Sequence, residues 1–130
     1  MKLNGYHKKE KLKSRTQLEA IFATGKSFSV FPVKIFFLET DTSETAYIKA
    51  GVGVSARHFK KAVHRNRIKR LLREAYRLEK QTLLHQLEKH GKKIAIFLLY
   101  IDKEMPDYIV LREKMKDGFE KLQSRLAIQE

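Results

Sequence analysis

The segment Arg57-His58-Phe59-Lys60-Lys61-Ala62-Val63-His64-Arg65-Asn66-Arg67-Ile68-Lys69-Arg70-Leu71-Leu72-Arg73-Glu74-Ala75-Tyr76-Arg77 separates into two faces when successive residues are set about 100° apart around a helix axis. Ile68, Leu71, Leu72, Ala75 and Leu78 gather on one side; Asn66, Lys69, Arg70, Arg73, Arg77 and Lys80 gather on the other. Arg65 and Arg67 flank the apolar stripe, where their stems can lie along it while the guanidinium groups reach outward. The pattern predicts an amphipathic helix from Lys60 to about His90, with a break expected near Lys80–Leu83 and Gly91 as its stop.

Working outward, Ala46 to Ser55 predicts a strand in which Gly51 and Gly53 signal either a bulge or a close approach by another group. On the far side, Lys93–Ile101 contains Ile94-Ala95-Ile96-Phe97-Leu98-Leu99 and suits a strand buried on both faces. Ser27 to Glu39 is β-branched and aromatic, with Pro32 at an edge or bend, and Asp41–Thr45 is a polar turn. Ser14 and Gln17 form a capping box ahead of Leu18, Ile21 and Phe22, with Gly25 as the stop of a short first helix. Pro106 starts a last helix with Asp107 in its first turn, and Tyr108, Leu111, Met115, Phe119, Leu122 and Leu126 give it one packing stripe. The order is α-β-β-β-α-β-α, an α+β sandwich. Residues 1–130 are expected to form a single domain, with Met1–Lys13 as a basic, flexible arm.

Composition narrows the class. Hydrophobic residues make up 42% of the 130, enough for a core and unlike a disordered basic tail. The absence of cysteine excludes a disulfide framework, a thiolate nucleophile and a zinc finger. No apolar run reaches the roughly 18–20 residues needed to span a bilayer, and the charged N-terminus lacks the apolar stretch of a secretory signal. A cytoplasmic location is therefore expected.

The net charge of +13 and pI near 10.0 call for a polyanionic partner that offsets self-repulsion, nucleic acid first and an anionic membrane surface second. From Arg57 to Arg77 there are nine Lys or Arg against one Glu, a local +8. A merely solvated helix interleaves Glu with Lys at i,i+4; here cations stack at 65, 69, 73 and 77. Each such pair is unfavourable by a few tenths of a kcal/mol without a counter-anion, and arginine's planar fork suits bidentate phosphate contact. Phosphate binding is the stronger reading. Charge does not choose RNA over DNA, but nothing before the helix reads as the short helix and tight turn of a helix-turn-helix. A membrane role is disfavoured because the apolar stripe is narrow and belongs to the core.

Catalytic chemistry is not legible in the chain. The five histidines, His7, His58, His64, His85 and His90, show no metal spacing. There is no nucleophile–base pair, and Gly51-Val52-Gly53 is too short for a phosphate loop. Glu39, Asp41 and Glu44 lie near one turn, where acidic residues are common, and do not make the convergent carboxylate site of a two-metal nuclease. No catalytic residue, protein-bound metal or small-molecule substrate is expected.

At Ala62 to Arg77 the chain resembles the protein component of bacterial ribonuclease P, matching that family's Arg-Asn-Arg signature helix at Arg65-Asn66-Arg67 and nearly throughout. Gly51-Val52-Gly53-Val54-Ser55 is similar to the strand entering that helix, and Leu12, Phe22 and Gly25 fall where the family has its first-helix pattern. The resemblance implies an αβββαβα sandwich with a central mixed sheet and a left-handed βαβ crossover, of the kind found in a ribosomal protein's second domain. It implies partnership with a catalytic RNA that removes 5′ leaders from precursor tRNA. That RNA would hold the magnesium (Mg2+) ions and carry the endonuclease chemistry. Carried over by position, Arg65, Asn66, Arg67, Lys69, Arg70 and Arg73 would contact RNA, with Arg57, Lys60, Lys61 and Arg77 extending the basic face. A leader cleft between the first helix and the sheet would make Phe22 and Phe36 platforms for unpaired bases, with Leu18 beside them, although aromatics at such spacings are usually core. Three departures stand out. Leu18 occupies the place of a second first-helix aromatic, Ala56-Arg57-His58-Phe59-Lys60-Lys61 replaces two lysines and a glycine, and the late strand lacks flanking Asp and Arg.

Other readings are a ribosomal protein, which predicts co-sedimentation with ribosomes, and a DNA-binding or nucleoid protein, which predicts equal affinity for duplex DNA and structured RNA.

Overall fold

The computed structural model describes residues 11–12, 15–40 and 46–126. Its elements are α1 (Arg15–Thr24), β1 (Lys26–Val30), β2 (Val33–Glu39), β3 (Ile48–Val54), α2 (Ala62–His90), β4 (Ile94–Tyr100) and α3 (Tyr108–Arg125), in the expected αβββαβα order. Ser14 of the expected capping box, the turn at 41–45 and most of the basic arm lie outside the described residues. Of that arm, Lys11 and Leu12 run parallel to β3, with the Leu12 N–H donating to the Ala50 carbonyl at 3.0 Å.

The sheet order is β1-β2-β4-β3. β1–β2 and β2–β4 pair antiparallel, whereas β3 and β4 pair parallel and are joined by the crossover through α2. Strict alternation gives β2 two faces: Val33, Ile35 and Phe37 are buried, and Lys34, Phe36 and Leu38 are half-buried on the reverse. The buried face packs under α2 and α3 in one core that includes Ile35, Leu72, Leu83, Ile96, Leu98, Met115 and Phe119. The opposite face receives α1 through Ile21, which is fully buried. Because α1 is short, that side is only partly covered. β4 is thus not buried evenly: Phe97 and Leu99 remain half-buried, against the expectation of a strand enclosed on both faces.

α2 is 29 residues of unbroken helix, about 43 Å long, and the break expected near Lys80–Leu83 does not occur. The buried positions continue through Ile68, Leu72, Ala75, Tyr76, Lys80, Leu83 and Leu87, so Lys80 lies on the apolar stripe, not the polar face assigned to it. Only 1% of Lys80 is exposed, and its Nζ sits 5.4 Å from the centre of the Tyr76 ring. A lysine placed on the buried stripe mimics an interruption in the pattern. Gly91 ends the helix at φ +65°, a conformation glycine adopts without Cβ strain, and the Lys92 N–H closes the turn on the Leu87 carbonyl at 3.0 Å. Asp107 stands just before α3 and caps it, not within the first turn. Its Oδ1 accepts from the Ile109 N–H at 2.9 Å and the Val110 N–H at 3.4 Å.

Candidate nucleic-acid interface

Two surfaces bring the predicted residues together, one on α2 and one between α1 and the sheet. Burying Ile68, Leu72 and Ala75 forces the other side of the first α2 turns into solvent, so Asn66, Arg67, Arg70 and Arg73 are exposed and Lys69 half-exposed. The side chains of Arg67, Lys69, Arg70 and Arg73 make no hydrogen bond or ion pair among the described residues. Arg67 and Arg70 line a shallow depression of about 470 Å³ with Val63, His64 and Leu71. Arg57, Lys60 and Lys61 are exposed on the loop leading into the helix.

The outer members of the predicted row have protein partners. One terminal nitrogen of Arg65 donates to the carbonyls of Phe59 and Lys60, both at 2.7 Å. Phe59 is itself buried, 6.2 Å from the Tyr100 ring. Arg65 thus ties the entry loop to the helix, which a residue-by-residue reading of the signature does not reveal. At the other end, Arg77 is held by Glu74 through two hydrogen bonds. That hydrogen bond, more than any other influence, holds the Glu74 carboxyl below the usual carboxylate range. The freely presented charge is therefore concentrated on Arg67, Lys69, Arg70 and Arg73, flanked by Asn66 and the loop cations.

On the other side of the sheet, Phe22 projects from α1 over β2 and β4 and is 49% exposed. Its ring meets Phe36 edge-on at 5.0 Å and Phe97 at 5.4 Å, with Phe36 and Phe97 6.5 Å apart. Phe22 and Phe36 are therefore together, as expected. Leu18, one turn earlier on α1, is half-buried. Lys34 places its Nζ 5.1 Å from the Phe36 ring centre, adding a cation to an aromatic surface. The reading of the sequence missed Phe97 and Lys34. Gly51 and Gly53 carried a signal for the first of these, since residues two apart share a strand face. A Cβ on Gly51 would lie 3.1 Å from Phe97 Cδ1, and one on Gly53 would lie 2.5 Å from its Cζ. The glycines mark a close approach, not a bulge, and the approaching group is the Phe97 ring.

Among the described residues no three His, Asp or Glu side chains come together as metal ligands. Glu39, one of the acidic residues weighed above, is paired with the Lys92 ammonium at 3.2 Å.

The family model for Ribonuclease P matches residues 6–123, which includes both surfaces. The chain belongs to the ribonuclease P protein family. A ribonuclease P protein component from Porphyromonas gingivalis is 34% identical over 112 residues, 86% of this chain and 82% of that protein. One from Chlorobium phaeobacteroides is 34% identical over 123 residues, 87% of this chain and 84% of its own length. The solved structure of the RNase P protein from Thermotoga maritima superposes with a TM-score of 0.69 at 26% identity, covering 86% of this chain and 96% of that one. The ribonuclease P protein role displaces the ribosomal and nucleoid readings. Among the described residues, no helix is long and apolar enough to cross a membrane.

Proposed function

We propose that this chain acts inside a ribonucleoprotein endonuclease in the cytoplasm, holding the catalytic RNA with the exposed face of α2 and the precursor-tRNA leader in the α1–sheet cleft. The observation that carries the first part is the run of Arg67, Lys69, Arg70 and Arg73, left without partners among the described residues. Four adjacent unneutralised cations on a rigid helix favour a ribose-phosphate backbone, whose condensed counterions they release. Asn66, Arg57, Lys60 and Lys61 extend that track, while Arg65 serves it by fixing the entry loop. Arg77 joins it only at the expense of its pairing with Glu74.

The cleft suits a different form of RNA. Phe22, Phe36 and the Lys34 ammonium offer ring faces and a cation to unpaired bases and their phosphates, and stacking tolerates any base. Such tolerance matches an enzyme whose substrates differ in leader sequence. In this reading the chain positions RNA and supplies no reacting group. Magnesium bound by the catalytic RNA would provide the activated water and stabilise the leaving oxygen.

Reconstitution with a bacterial catalytic RNA at low magnesium tests the reading. Leader removal from precursor tRNA should rise on adding the protein, and an RNA that cleaves equally well without it would overturn the proposal.

A further inference from the structure

Phe22 of α1 and Phe36 of β2 are joined by a third ring on the α1 face of the sheet. Phe36 and Phe97 are register partners on β2 and β4, and Gly51 is the partner of Phe97 on β3, so all lie in one row on the α1 face. The row ends in glycine, and the next residue on that face of β3 is Gly53. With no Cβ at either position, the Phe97 ring can lie along β3 from Gly51, near its Cδ1, to Gly53, near its Cζ. Any larger residue at Gly53 would occupy the ring's place. Leu12 closes the far side, 3.4 Å from where a Gly51 Cβ would be. A half-buried Phe97 thus lies beside the half-exposed Phe22 on the α1 face of the sheet.

We propose that Phe97, seated on Gly51 and Gly53, is a leader-binding residue that widens the platform of Phe22 and Phe36 from two rings to three. The proposal rests on the leader reading of the cleft and adds to it a residue and the reason for its place. Phe22 meets both Phe36 and Phe97 edge-on while keeping about half of its own surface exposed, so a base can be laid against the cluster. The two glycines follow from this: they are needed to seat an aromatic ring, and a leucine side chain at 97 would not use the space over Gly53.

The test uses the protein reconstituted with a bacterial catalytic RNA and compares binding of precursor tRNA with binding of mature tRNA. Phe97→Leu keeps an apolar side chain in the cleft and should cost about tenfold in precursor affinity, with mature tRNA unaffected. Phe97→Tyr keeps the ring and should restore the preference. Gly53→Ala displaces the ring without deleting it and should fall with Phe97→Leu. A 2-aminopurine in the leader should be quenched on binding the native protein and Phe97→Tyr, and quenched less on binding Phe97→Leu, where only the Phe22 and Phe36 rings remain. If the native complex prefers precursor tRNA and Phe97→Leu retains that preference and quenching, the Phe97 assignment is wrong while the cleft reading stands. If the native complex shows no preference for precursor tRNA, the cleft reading falls and this inference with it.

Discussion

Replacing Arg67, Arg70 and Arg73 together with alanine removes three exposed guanidinium groups with no partner among the described residues, so the effect on folding and the effect on RNA separate cleanly. No buried contact is lost. Relief of like-charge repulsion between neighbours three positions apart should leave stability unchanged or raise it by a few tenths of a kcal/mol per pair. Binding responds differently. Each phosphate neutralised contributes about 0.7–0.9 to the slope of log K against log salt, so three lost contacts should flatten it by about 2–3. Extrapolated from about 1 M salt, where the counterion contribution vanishes, the deficit at about 0.1 M is on the order of a hundredfold or more. Filter binding or fluorescence anisotropy with catalytic RNA across a salt series measures both quantities, beside thermal unfolding as the control. A slope equal to that of the native protein would refute the reasoning, as would a deficit that persists undiminished at high salt.

Arg65→Ala should behave unlike that triple variant: amide exchange should quicken across residues 55–61, because the guanidinium bonds to the Phe59 and Lys60 carbonyls are gone. Unchanged protection there would show that Arg65 does not tie down the entry loop. Lys80→Ala should destabilise the protein by about 2 kcal/mol, read from denaturant midpoints, since its stem fills a place in the core. Lys69→Ala, on the open side of α2, should cost almost nothing, and equal costs would argue against the buried placement of Lys80. Tyr100 is buried with its hydroxyl donating to the Glu104 carbonyl at 2.6 Å, and burial pushes its pKa from 10.0 to about 12, with Asp102 and Glu104 adding to the shift. The fold thus favours the neutral phenol: this contribution is whole below pH 10.0 and is lost as pH climbs towards about 12. Tyr100→Phe should lose about 1 kcal/mol at neutral pH for the missing hydrogen bond but decline less steeply through that window. Parallel stability curves for the two proteins would contradict it.

What the residues alone determined is what depends on local periodicity and charge. Helical spacing placed Ile68, Leu72 and Ala75 inside α2, and the same spacing made the arginine face unavoidable. Gly91 marked a helix end because the left-handed backbone there has few chemical solutions, whereas the capping role of Asp107 came only with the structure. The Arg-Asn-Arg helix and the strand before it were specific enough to indicate the family. The tertiary structure decided which groups meet across the chain. It kept α2 continuous by burying Lys80 against Tyr76, and it turned Arg65 back onto the entry loop. It also set Phe97 against Gly51 and Gly53, more than forty residues earlier in the chain. Periodicity tells which side of an element faces inward, but whether a second layer covers the other side depends on the length and position of a distant helix. Among the described residues α1 is too short to cover the whole sheet, and it leaves Phe36 and Phe97 half-buried beside the half-exposed Phe22.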